Sequence, residues 1–127
     1  MNKVVLDASA LLALLYDETG ADNVIKYLPN ATISTVNLAE VLSKLIEAGM
    51  SATQAKDILN KLNLDITIFS EDIAYITARL RPITKQQGLS LGDRACLATA
   101  LYLQTTAITA DKQWRNLNIE INIECIR

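Results

Sequence analysis

Four acidic residues stand in surroundings that could support chemistry. Asp7 follows an apolar run in Val4-Val5-Leu6-Asp7-Ala8-Ser9, and Glu40 lies within Thr35-Val36-Asn37-Leu38-Ala39-Glu40-Val41. Asp93 closes Ser90-Leu91-Gly92-Asp93, and Asp111 sits in Thr109-Ala110-Asp111-Lys112. Carboxylates brought together repel one another and call for cations, and hard oxygen donors favour magnesium or manganese. Two such ions ~3.5–4 Å apart can activate a water, hold a phosphodiester and stabilise its leaving oxygen. Such chemistry needs no histidine, and the chain has none. That absence removes Ser-His-Asp triads, paired-imidazole nuclease mechanisms and His-bearing zinc sites.

The elements that must position these acids can be read from pattern. Lys3–Leu6 reads as a short strand, followed by a helix over Ala8–Tyr16. A second helix spans 20–28 and stops at Pro29. Ala31–Ser34 is the second strand, Val36–Ala48 a helix closed by Gly49, and 52–62 a helix started by Ser51. Leu64–Phe69 alternates like a third strand. Ser70 opens a helix to about Gln87, with Pro82 expected to kink it. Ser90 starts a nearly all-apolar helix through Leu103, whose composition predicts burial. Thr106–Thr109 is a strand, Lys112–Leu117 a helical turn, and Ile119–Ile126 a last strand. Strands alternating with helices predict a parallel sheet with helices on both faces, and ligands of such sheets bind beyond the carboxyl ends of the strands. Asp7, Glu40 and Asp111 fall at or near three such ends, and Asp93 at a helix start. No linker or repeat interrupts the chain, so residues 1–127 are expected to form a single α/β domain.

Each acid also has an innocent reading. Asp7 and Asp111 are good helix caps. Ser90 and Asp93 have the spacing of a capping box. Glu40 lies off the stripe of Leu38, Val41, Leu42 and Leu45, where it could pair with Lys44 at i+4. Asp93 differs in entering a helix that is apolar all round, where an acid asks for a partner.

Charge and composition narrow the classes further. The net charge is −2, which argues against a bulk electropositive nucleic-acid binder. Residues 1–75 carry 5 basic and 10 acidic side chains, whereas 76–115 hold Arg79, Arg81, Lys85, Arg94, Lys112 and Arg115 against Asp93 and Asp111. A basic region on an acidic protein fits a phosphate-bearing ligand beside a carboxylate site. Cys96 and Cys125 are far apart in apolar surroundings and read as free thiols. No apolar run approaches a membrane span, and Asp7 interrupts what would be the core of a leader peptide. A soluble, cytoplasmic protein is expected. Neither a haloacid dehalogenase phosphatase nor a receiver domain fits, because Ser9 stands where the first needs a second aspartate and Asp7 has no acidic neighbour. A phosphate loop is excluded by the lack of a Gly-rich stretch among 4 glycines.

With Val5–Leu14, Asn37–Val41, Ser90–Ala98 and Thr109–Trp114 in this order and spacing, the chain resembles a PIN domain, and within that family a VapC-type toxin ribonuclease. The resemblance implies a three-layer α/β sandwich with a central, mostly parallel sheet that binds Mg2+ (or Mn2+) and hydrolyses RNA. It carries the catalytic and metal-binding roles onto Asp7, Glu40, Asp93 and Asp111, places Ser9 and Thr109 as polar neighbours of the acids, and leaves Trp114 to packing. It also implies a small antitoxin protein as partner, and a homodimer. The competing reading is a non-catalytic PIN-fold binding module.

Overall fold

The computed structural model describes residues 3–127. Five short strands form one sheet: β1 (Val4–Leu6), β2 (Ala31–Ser34), β3 (Asp65–Thr67), β4 (Ala107–Thr109) and β5 (Ile123–Cys125). All four pairings are parallel, and the spatial order is β3-β2-β1-β4-β5. Six α-helices make the crossovers: α1 (Ala8–Leu15), α2 (Ala21–Tyr27), α3 (Thr35–Glu47), α4 (Ala52–Lys61), α5 (Glu71–Thr84) and α6 (Leu91–Leu103). Short 3-10 turns over Leu28–Asn30 and Lys112–Asn116 complete the connections.

The strands alternate their side chains between two cores, as the period of two requires. Leu6, Ile33 and Ile108 face a cluster built with Leu11, Val24, Val41, Leu45 and Leu59 from α1–α4. Val5 and Ala107 face the other cluster, built with Ile73 and Leu80 of α5, Cys96 and Leu97 of α6, and Trp114. The expected three-layer α/β sandwich is therefore present, and Trp114 is fully buried packing as expected. Sequence-level starts also match. Ser51 and Gln54 form a capping box on α4, Ser70 caps α5, and Ser90 with Asp93 forms a capping box on α6.

The differences lie at weak elements. The last strand spans only Ile123–Cys125, because Leu117, Ile119 and Ile121 spend their alternation covering the α5–α6 core from an irregular segment. The third strand shrinks to Asp65–Thr67, with the Phe69 N–H donating to Thr35 Oγ1 instead. The helix α5 carries Pro82 within its last turn and ends at Thr84 rather than Gln87. Among the described residues no helix is long and apolar enough to cross a membrane.

The chain end is clasped against the start of α2. Asn23 Nδ2 donates to the Ile126 carbonyl at 2.8 Å, Tyr27 donates to Glu124, and Arg127 reaches Glu18 and the Thr19 carbonyl. Gly20 permits this approach: its φ is +98°, and a Cβ there would stand 2.7 Å from the Ile126 carbonyl oxygen. Gly49 has a similar φ of +115° but open space around it. Urea unfolding is expected to show Gly49→Ala costing only backbone strain, ~1 kcal/mol, and Gly20→Ala clearly more, ~2–4 kcal/mol. Equal costs would show that the clasp yields freely.

Candidate active site

The spatial order of the strands reverses direction at β1, since the chain builds outward to β2 and β3 and then returns to β4 on the other side. Crossovers on either side of such a point leave a crevice at the strand ends. Asp7 occupies it, directly after β1 and only 3% exposed.

Three donors hold this carboxylate through four contacts. Oδ1 accepts from the Ala10 N–H at 2.8 Å, as a helix cap does, and from Ser9 Oγ at 2.8 Å. Oδ2 accepts from Thr109 Oγ1 at 2.6 Å and shares the Ser9 hydroxyl at 2.9 Å. The two hydroxyls accept in turn from backbone: Ser9 Oγ from the Ala110 N–H and Thr109 Oγ1 from the Asp111 N–H. Asp7 thus ties the end of β1, the start of α1 and the end of β4 together. Burial nevertheless outweighs these bonds and pushes its carboxyl up to about 6, with the nearby charge of Asp93 adding to the rise.

Asp93 sits in the first turn of α6 and is half-buried. Its Oδ2 accepts from the Ser90 N–H at 2.9 Å, so it does serve the capping box. Glu40 lies in the second turn of α3, beyond the end of β2, and its carboxylate faces α6 across Gly92. A Cβ at Gly92 would collide with that carboxylate. Asn37 Nδ2 bridges the two helices, donating to Glu40 Oε1 at 2.7 Å and to the Gly92 carbonyl at 3.0 Å. The Glu40–Lys44 pair of the innocent reading does not form; among the described residues the ion pair is Arg127–Glu18. Asp111 is exposed and caps the 3-10 turn through the Gln113 N–H, and its link to Asp7 runs through backbone and Thr109.

Cys96 reports the grouping from inside the protein. Burial drives its thiol well above the ordinary range, and the charges of Asp7, Asp93 and Glu40 raise it further. Three of the four acids therefore act on the same buried thiol, and Asp93 acts on Asp7 as well. Cys125 is half-buried, and both thiols are free.

Among the described residues no three His, Cys, Asp or Glu side chains converge closely enough to enclose an ion by themselves. The donor set still fits a hard cation. Magnesium keeps several waters and is commonly held by only one or two carboxylates with phosphate oxygens. The gap left by the missing Gly92 side chain, which admits the Glu40 carboxylate to the first turn of α6 that also carries Asp93, supports the same fit.

Sequence reasoning missed Asn37 and Gly92. The available signal was an amide four residues before Val41 and eight before Leu45, on the buried stripe of α3, and a glycine inside a strong helical pattern. Ser9 and Thr109 stand beside Asp7 as expected. The basic region is only partly free: Arg94 Nη1 donates to the Thr77 carbonyl at 3.1 Å, and Arg115 to that of Arg127, while Arg79 and Arg81 on α5 and Lys85 just after it are exposed.

The PIN domain family profile matches residues 4–120, and the chain belongs to the PIN domain family. No curated protein matches it. Among solved structures it is similar to a toxin–antitoxin complex from Klebsiella pneumoniae, at 23% identity and TM-score 0.77, covering 98% of each chain. VapBC2 from Rickettsia felis, bound to a promoter DNA fragment, aligns at 20% identity and TM-score 0.74, over 96% of this chain and 97% of that one. DNA-bound VapBC from Salmonella typhimurium aligns at 15% identity and TM-score 0.77 over all of both chains.

The raised carboxyl of Asp7 has a consequence for stability. An acid whose folded pKa, about 6, exceeds its unfolded value of 3.8 binds its proton more tightly when folded. Its stabilising contribution is complete below the unfolded value and is lost as pH rises through the folded one. In metal-free protein, Asp7→Asn keeps the cap and is expected to raise thermal stability at pH 7.5, by up to ~3 kcal/mol. The gain should shrink as pH falls from about 6 toward 4. Melting curves across this range check it, and a pH-independent difference would show that the charge of Asp7 is not the cause.

Proposed function

We propose that this protein is a divalent-metal-dependent endoribonuclease, the toxin of a toxin–antitoxin pair acting in the cytoplasm. The observation that carries the reading is Asp7 buried at the sheet's switch point, with Asp93 in the first turn of α6, Glu40 against Gly92 of that turn, and the Asp111 N–H on the same Thr109 hydroxyl that binds Asp7. Membership of the PIN family and the similarity to toxin–antitoxin complexes support it.

In this reading Asp7, Glu40, Asp93 and Asp111 hold magnesium or manganese. The bound metal supplies charge stabilisation for a phosphodiester and a water of lowered pKa. Ser9 and Thr109 keep both oxygens of Asp7 in a fixed orientation. Arg79 and Arg81 of α5 and Lys85 at its C-terminal end are exposed cations that attract the RNA backbone. A small antitoxin protein is the proposed partner, by likeness to the Klebsiella pneumoniae complex, and self-association as a homodimer accompanies it.

A second reading, a non-catalytic PIN-fold module, draws on the hydrogen bonds themselves. Asp7, Asp93 and Asp111 each serve as a cap. The two readings separate cleanly, because asparagine caps about as well as aspartate.

Purified protein is expected to cleave single-stranded RNA with magnesium or manganese, leaving 5′-phosphates, and to lose cleavage in excess chelator. Magnesium at about ten times its Kd should stabilise the wild type by ~1.4 kcal/mol, and Asp7→Asn or Asp93→Asn should lose most of that gain together with cleavage. Variants that cleave normally and keep the full shift would establish the acids as caps. Replacing Arg79, Arg81 and Lys85 by neutral residues should weaken RNA binding and flatten its salt dependence; an unchanged slope would leave them a solvated face.

A further inference from the structure

We infer that Asn37 is a positioning residue of this site, holding Glu40 against the first turn of α6 in the space that Gly92 leaves open. The inference rests on the metal-site reading above and adds a residue to it. Asn37 is 1% exposed and occupies a core position of α3, in line with Val41 and Leu45. Packing alone would put an apolar side chain there, as it does at the next two positions. Its amide faces two acceptors, the Glu40 carboxylate and the Gly92 carbonyl, which fixes the orientation with Nδ2 toward both. The cost of that choice is visible on the other side: Asn37 Oδ1 is buried with no hydrogen-bond partner among the described residues. A buried amide that leaves its own acceptor unpaired is poor core material. Its donor is what the position supplies.

Glu40 needs such a donor. Its side chain is exposed and long, with several rotamers open to it. The Asn37 bond selects the rotamer that lays the carboxylate over Gly92, the residue preceding Asp93 in the first turn of α6. Partners of this kind, which orient a ligating carboxylate, typically govern metal affinity by roughly 10–100-fold.

The test is the dissociation constant of Mn2+, measured by calorimetry and by the electron paramagnetic resonance of free Mn2+, with metal-free melting curves beside it. Asn37→Leu, close in shape but without the amide, is expected to keep or raise the metal-free melting temperature while weakening Mn2+ at least tenfold. Gly92→Ala leaves Asn37 intact but displaces the Glu40 carboxylate, and is expected to weaken Mn2+ to a similar extent in a folded protein. It carries the test if Asn37→Leu fails to fold. In a Glu40→Gln background, Asn37→Leu should change the constant less than twofold, because both substitutions act through one carboxylate. Undiminished Mn2+ binding by Asn37→Leu or Gly92→Ala, or an undiminished Asn37 effect without Glu40, overturns the positioning role alone. Absence of Mn2+ binding by the wild type overturns the metal reading and this inference with it.

Discussion

The arrangement depends on one buried charge. Asp7 stands where the parallel sheet changes direction, and its carboxylate is the common acceptor for α1, Ser9 and β4. A neutral residue of similar shape could receive the same cap. It could not exert the field that reaches Cys96 beneath it. Burial without a neighbouring cation is unfavourable for a carboxylate, and three hydrogen-bond donors only partly offset this. The rest of the local structure is organised around that unfavourable placement. Two hydroxyls donate inward to Asp7 and accept outward from the Ala110 and Asp111 amides, so the crevice wall is saturated in hydrogen bonds.

The helix α6 is the second constraint. It packs on β1, β2, β4, α3 and α5 at once, so small side chains run along it: Ala95, Ala98 and Ala100 are fully buried. That packing fixes where its first turn lies. Asp93 then faces the switch point by consequence of helix position, and Gly92 sets how near α3 can bring Glu40. Arg94, one residue on, turns away to the Thr77 carbonyl of α5. Successive residues of one turn thus serve three directions: the Glu40 gap, the acidic crevice and the α5 interface.

Much of this was legible in residue order. Strand and helix alternation specified a parallel sheet, and serine caps marked the starts of α4, α5 and α6. The four acids were visible because each stands at an element boundary or beside a family-like motif. Legibility failed where a residue's role is set by another element. The innocent reading of Glu40 offers Lys44, its neighbour along the helix, whereas the partner it takes is Asn37, which is itself buried against α6. Periodicity within one helix cannot report that. The last strand failed for a related reason: alternation in Ile119–Ile126 is equally consistent with a covering loop, and the choice is made by the core it covers.

At Asp93 and Asp111 the capping roles and the proposed catalytic roles do not compete for the same atoms. The cap on α6 occupies Oδ2 of Asp93, and the cap on the 3-10 turn occupies Oδ1 of Asp111. Each leaves a second oxygen, and a hydrogen-bonded carboxylate is a better-oriented donor than a free one. The neighbouring cations do not neutralise the group either, since Arg94 is bound to a carbonyl and Arg127 pairs with Glu18 on a distant edge. The acids are therefore positioned by neutral donors and left uncompensated in charge. In the metal-dependent reading, the same uncompensated buried charge that raises the Asp7 carboxyl becomes part of the attraction for a divalent cation. A scaffold with no such ligand would gain stability by losing that charge, and asparagine at position 7 would keep its cap.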